Sequence, residues 1–335
     1  MVHGVTLNFK LVPRGEQKRI PIVIAGKLII NVQSMLSHIG EYMIAKELYL
    51  QDKVPKDFLS KFDLCIDSTE GSISSSVNLG YELSGNFLDG ALRKLTNILS
   101  TDPSNYNNLK EEIDAPKYLA SLAKMMITLS EDLEDFELQY EVEGEMKGFS
   151  FDIEALRKTT RDDTREETMI GTIEVKGESL FLSINGSHIP LIFNGTFLKD
   201  DVLKYSGGAA CILTGKTKRH GNGTIGAVMN ISSVDKLSHL TFTKIVSTER
   251  DLKLGEGITA EIGFDRASNM WTLYNDMLEF STSKQNWDDA VIEFHDHVVF
   301  MWEIYAEETK DDLNDEEIDI RNKLLSLKPV PLSDE

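Results

Sequence analysis

Cysteine is almost missing from this chain: two in 335 residues, Cys65 and Cys211. Two distant thiols build no disulfide framework, which excludes the stapled scaffolds of small secreted domains. The expectation is buried free thiols in a reducing compartment, the cytoplasm. No apolar run approaches the roughly 18 residues that cross a bilayer, so no membrane partner is expected. The first residues, MVHGVTLNFKLVPRGEQKR, alternate apolar and polar and lack the basic start and apolar stretch of a secretion signal. Without a secretory route, the Asn-x-Ser/Thr triplets at Asn185, Asn194, Asn222 and Asn230 read as turn chemistry rather than glycan sites.

The usual catalytic signatures are also missing. There is no Walker A loop, G-x-S-x-G elbow or H-E-x-x-H pair, and the seven histidines show no Cys/His zinc spacing. No cofactor and no metal are therefore expected. GNGTIG, residues 221–226, fits the dinucleotide pattern letter by letter. That chemistry needs a helix next, but the next residues are the β-rich AVMNISSV, so a hairpin turn explains the glycines better. Basic charge is scarce as well, with 35 Lys and Arg against 55 Asp and Glu, a net charge of −20. A polyanion such as nucleic acid is disfavoured as a partner of the whole molecule, whereas basic partners are attracted.

What is present reads as an α+β chain in three parts. Residues 1–156 form a mixed α/β domain. VTLNFKLV and RIPIVIAG read as strands, and GKLIINVQSMLSHIGEYMIAKELYL as a long amphipathic helix with Leu28, Val32, Met35, Leu36, Ile39, Tyr42 and Met43 at helical spacing. His38 lies beside that stripe, as a satisfied core or boundary histidine would. FDLCID and the serine-rich EGSISSSVNLGYEL read as strands. Asp63, Asp67 and Glu70 read as a solvated acidic loop. NFLDGALRKLTNILS and APKYLASLAKMMITLSEDL are helices, the second with Pro116 in its first turn. FELQYEVEGEMKG is a hairpin around Glu143-Gly144. RKTTRDDTREET, residues 157–168, has no apolar residue to bury and reads as a linker or exposed turn and as the first domain boundary.

Residues 168–238 hold five short β-rich runs with a helix, FLKDDVLKY, between the third and fourth. Asn185-Gly186 joins the second and third runs, the signal of a type I′ turn with positive φ at both central residues. The order β-β-β-α-β-β resembles a small OB-like β-barrel. Its part of the chain carries seven basic and five acidic residues between 168 and 240. Lys216, Lys218, Arg219 and His220 fall where such a barrel has its loop between strands four and five, making them the candidate nucleic-acid contacts.

Residues 239–328 contain three further strands, ITAEIGFD, MWTLYND and MLEFS, then a helix over 286–306, then a last short helix over DLNDEEIDIRNKLLSLK, with PVPLSDE as a tail. In the longer helix Trp287, Val291, Phe294, Val298, Met301, Trp302 and Tyr305 share one stripe, with Asn286 as a cap. His295 and His297 flank Asp296 and suggest a metal site, but two residues of helix turn them about 160° apart. Helical zinc pairs stand at i, i+4 so that both rings face one ion. The opposite face carries Ile292, Val299, Phe300 and Ile304, the candidate partner-binding residues.

ITAEIGFDRASNMWTLYNDMLEFSTSKQNWDDAVIEFHDHVVFM resembles the β-β-β-α domain of HicB-type antitoxins. The likeness rests on the order of elements, on a tryptophan in the second strand, and on Trp287-Asp288-Asp289-Ala290 opening the helix. It departs from that pattern at Asn275-Asp276, where the family has a proline-rich stretch. The resemblance implies partner binding, in a microbial toxin–antitoxin or defence module. The chain is therefore read as a non-enzymatic interaction or regulatory subunit. The alternatives are an OB-fold nucleic-acid-binding protein and an enzyme whose site is assembled from distant residues.

Overall fold

The computed structural model describes residues 9–14, 20–52, 54–63, 85–100, 107–142, 145–148, 152–161, 164–193, 197–220, 224–309 and 313–330. The chain is α+β and divides into two compact units: residues up to 43 with 55–163, and residues 44–54 with 164–335.

In the first unit β1 (Phe9–Pro13) leads to α1 (Ile22–Glu47), whose last turn, from Ile44, belongs to the second unit. Then come α2 (Lys56–Leu59), α3 (Gly85–Ser100), α4 (Asn107–Glu112), α5 (Pro116–Asp132), β2 (Phe136–Val142), β3 (Glu145–Gly148) and α6 (Ile153–Arg161). β1, β2 and β3 form an antiparallel sheet in that order, with β2 and β3 as the expected hairpin. Among the described residues α1 is the one helix whose length and composition would suit a bilayer crossing. Its helical stripe is buried within the protein at Met35, Leu36 and Ile39, as are Leu119 and Leu122 of α5. Gly40 lets the Phe62 ring lie against α1, since a Cβ there would meet that ring at 2.4 Å. His38 donates from Nε2 to the Tyr118 carbonyl at 3.0 Å and is satisfied at the edge of this core.

Three local expectations change. RIPIVIAG is not a strand, because α1 begins at Ile22. The Pro21 carbonyl accepts from the Ile24 and Ala25 N–H groups, so proline heads a first turn and the weak β-preference of the branched residues is overridden. Residues 157–168 contain the boundary between the two units, but most of the stretch is helix and strand. α6 runs through Arg161 and a strand opens at Thr164, whose inward Glu167 is covered by Arg219 and Thr217 rather than by an apolar core. FDLCID begins with a 3-10 turn, Ser60–Phe62, rather than a strand. Its remainder, together with Cys65, Asp67, Glu70 and EGSISSSVNLGYEL up to residue 84, lies outside the described residues.

The second unit opens with a small barrel: β4 (Thr164–Lys176), β5 (Ser179–Ile184), β6 (Ser187–Ile192), α7 (Phe197–Leu203), β7 (Ala210–Arg219) and β8 (Ile225–Lys236). The five strands close in the order β4-β5-β6-β8-β7, with β7 returning to β4. All pairs are antiparallel except β6 with β8, where Leu191 sits opposite Val228. Asn185 and Gly186 have φ of 46° and 80°, the two positive values a type I′ turn requires. Met169, Leu182, Leu191, Leu213 and Val228 point inward and fill the barrel. Cys211 joins them, and burial pushes its thiol up to about 12. It is a packing residue, not a nucleophile.

Gly171 marks the tightest approach in the barrel, since a Cβ there would lie 2.5 Å from the Ser183 carbonyl oxygen. That oxygen is backbone held by the β4–β5 pairing. Gly171→Ala should therefore cost about 1–3 kcal/mol through overpacking. Chemical denaturation checks this, and an unchanged midpoint would mean that the β4–β5 pair is looser than described.

Beyond the barrel run β9 (His239–Val246), β10 (Asp251–Asp265), β11 (Met270–Asn275), β12 (Phe280–Lys284), α8 (Trp287–Met301), a π-helical turn (Trp302–Ala306), α9 (Asp315–Ser326) and β13 (Pro329–Val330). β9 to β12 form an antiparallel meander. The anticipated tail is instead a strand at its start, with Pro329 opposite Leu254 and Val330 opposite Lys253.

Candidate docking face on the C-terminal helix

α8 is the element that the sequence marks most clearly. Asn286 caps it by accepting from the Asp288 N–H at 2.8 Å. Trp287, Val291, Phe294 and Val298 are fully buried, with Met301 and Trp302 nearly so, which matches the stripe at spacings of 4 and 3. The helix lies over the sheet: Thr282 of β12 donates its hydroxyl to the Ala290 carbonyl at 3.2 Å, and the Phe294 ring meets Phe242 of β9 and Phe280 of β12. At Trp302 the helix widens into the π turn, with the Glu307 N–H reaching back five residues to the Trp302 carbonyl at 3.3 Å. Such turns frequently sit at functional sites.

His295 and His297 diverge as the spacing requires. His295 is fully buried, and its Nδ1 accepts from the Val246 N–H at 3.0 Å, so its proton sits on Nε2. Desolvation lowers it to about 3, and the ring is neutral. His297 faces the other way and stacks on Phe280, with centroids 4.6 Å apart and planes at 29°. Among the described residues no three His, Cys, Asp or Glu side chains gather as a metal site would need.

A second polar group is invisible in the sequence. Ser247 and Asp251, at the β9–β10 turn, are buried together with His295, whose Nδ1 holds the Val246 N–H next to Ser247. These are the residue types of a nucleophilic triad, but the Ser247 hydroxyl accepts from the Glu249 and Arg250 N–H groups at 3.1 Å each. Ser247 is a turn-closing residue with 1% exposure, and no substrate could reach its oxygen.

The four partner-binding candidates separate. Phe300 is 55% and Ile304 38% exposed, one turn apart, and Ile292 is half-buried. Val299, in contrast, is buried at 2%. Its angle on the helix alone puts it on the outer face, but α8 is enclosed over a wider arc than one stripe, and Val299 faces that interior. Along the outer face of the helix the surface is acidic: Asp289, Asp296 and Glu303 are exposed and Glu293 is half-exposed, while Glu307 beyond them pairs with Arg250.

The barrel candidates also separate, by strand alternation. Lys216 and Lys218 point outward and His220 is exposed beyond the end of β7. Arg219 has the opposite parity and turns into the end of the barrel. There its guanidinium grips Glu167 from Nε at 3.0 Å and from a second nitrogen, while the buried Thr217 hydroxyl donates to the same carboxylate. Arg219 is thus part of the barrel's closure, and period-2 alternation separates it from the two lysines. Residues 221–223 of the GNGTIG motif lie outside the described residues; its end, from Ile225, is the start of β8.

Compared with known proteins, the chain matches no family, no curated protein and no solved structure.

Proposed function

We propose that this protein is a non-enzymatic interaction or regulatory subunit that docks a partner protein through the outer face of α8. The observation that carries this reading is the exposure of Phe300 and Ile304 together, on a helix whose inner stripe is fully packed. A large aromatic held at the surface by a rigid helix is the kind of anchor that dominates protein interfaces. The acidic rim around it gives the face a charge that selects its partner. A meander followed by a helix is also the arrangement that the HicB-type resemblance implies, and a role in a toxin–antitoxin or defence module is consistent with it. A nucleic-acid role draws less support, because the Arg219 guanidinium is held by Glu167 and only Lys216 and Lys218 remain as outward cations of the basic loop.

The test is Phe300→Asp. A partner recovered from the native host with the wild-type protein should be lost with the variant, while the circular dichroism of the two is the same. Equal recovery with both proteins would overturn this function.

A further inference from the structure

β12 is the last strand of its sheet: among the described residues it pairs with β11 and with no strand on its other side. Its Phe280 and Thr282 are buried beneath α8, and its Ser281 and Ser283 are exposed on the opposite face. Such an edge offers a row of backbone donors and acceptors to another chain.

One row of α8 runs beside this edge. Glu293 forms an ion pair with Lys284 at the end of β12, at 3.0 Å. His297, one turn on, stacks on Phe280 at the start of β12. Phe300 follows, with its ring centroid 6.1 Å from that of His297, and Ile304 lies a turn beyond. Strand and helix therefore run antiparallel; Glu293 and His297 line a shelf along the free edge, and Phe300 and Ile304 continue it past the start of β12.

We propose that this edge and shelf take up an extended segment of a partner protein, which adds a strand to β12 and lays every second side chain on α8. The inference rests on the docking function above and names the partner's chemistry. Side chains of a strand alternate between faces, so only alternate residues of the segment meet the helix. Those opposite Phe300 and Ile304 are apolar. Those opposite Glu293 and Glu303 are Lys or Arg, because acidic side chains predominate on the outer face of α8 in a chain of net charge −20. Lys284 itself is the kind of charge that keeps an edge strand from pairing at random. A partner cation would take its place on Glu293, which gives the edge selectivity for basic segments.

The probe is a labelled nine-residue peptide, Lys-Thr-Lys-Thr-Val-Thr-Val-Thr-Lys, whose two valines fall on neighbouring same-face positions, titrated against the full chain by fluorescence anisotropy. Three controls accompany it: the peptide with Glu for Lys, the peptide with Pro for its central threonines, and the Phe300→Ser protein. The basic peptide should bind in a salt-sensitive way, and each control should weaken binding by about tenfold or more. Amide exchange at Ser281–Lys284 should slow on binding. If the proline peptide binds as well as its parent, strand addition is wrong. If the basic peptide does not bind, or binds no better than its acidic counterpart, the assigned partner chemistry is wrong. None of these outcomes alters the result of the Phe300→Asp capture experiment, which judges the docking function by itself.

Discussion

Trp287→Ala should be among the most damaging single changes in the second unit, at about 3–5 kcal/mol. Trp287 is the largest fully buried side chain described. Its ring stands edge-on to Trp271 with centroids 5.1 Å apart, and its Nε1 donates to the Tyr49 carbonyl at 3.0 Å. Alanine would leave a cavity at the start of α8 and take one of two donors from the Tyr49 carbonyl, which keeps the Gln51 side chain at 2.9 Å, in a segment where Tyr49 already holds a left-handed φ of 55°. Denaturant unfolding followed at the helix signal measures the effect. A loss below about 1 kcal/mol, the level of an ordinary surface change, would show that α8 does not pack as described.

Asp288 carries the second large effect. Its carboxylate accepts from the Gln51 N–H at 2.8 Å and the Asp52 N–H at 2.7 Å. Asp52 in turn accepts from the Asn185 side chain at 2.7 Å, Asn185 accepts from the Trp287 N–H at 3.0 Å, and Gln51 accepts from the Ile170 N–H at 3.1 Å. One buried residue thereby ties Gln51 and Asp52, the barrel's Asn185-Gly186 turn and the start of α8 to each other. Asp288→Ala takes the acceptor from both N–H groups, at about 1–3 kcal/mol for each that water does not reach. The same denaturant unfolding reads that loss.

Asp288→Asn probes the same residue through pH. Burial pushes the Asp288 carboxyl up to about 6 from 3.8, so the folded state holds its proton more tightly and gains stability as pH falls through 6. His295, lowered to about 3 from 6.5, acts in the opposite direction and costs stability as pH falls below 6.5. At about 1.4 kcal/mol per pH unit, His295 removes about 2 kcal/mol between pH 6.5 and 5, while Asp288 restores about 1. The wild-type protein should therefore change little over that range, and Asp288→Asn should lose about 2 kcal/mol. Parallel pH profiles for the two proteins would refute the raised carboxyl.

Periodic stretches are legible in the sequence because one physical rule governs each. The α8 stripe follows from 3.6 residues per turn, the barrel strands from alternation, and the Asn185-Gly186 turn from its need for positive φ. The α1 start is not legible, since Ile20, Ile22, Val23 and Ile24 favour strands intrinsically and Pro21 outweighs them only once the helix nucleates. The Thr164 start of β4 escapes because its covered face is filled by a charged residue, Glu167 held by Arg219, which carries no apolar signal. Val299 is misplaced by a helical wheel, which gives an angle, whereas burial depends on what else covers that angle. Arg219 is misassigned when Lys216, Lys218, Arg219 and His220 are read as one patch, because their strand sends alternate side chains in opposite directions. Asp288 escapes because its partners lie 237 and 236 residues away in sequence, and no local pattern marks it.

Phe300 is a surface anchor while Val299, its neighbour, is core, and the docking function stands on that difference. Thermal melting of Phe300→Asp and Val299→Asp, followed by circular dichroism beside the wild type, measures it. Phe300→Asp should shift stability by no more than about 0.5 kcal/mol, as an exposed substitution does, while Val299→Asp, which buries an unpaired charge, should lose about 4 kcal/mol or more. A Phe300→Asp protein that melts as early as Val299→Asp would show that Phe300 is internal packing and that α8 has no free face to offer a partner.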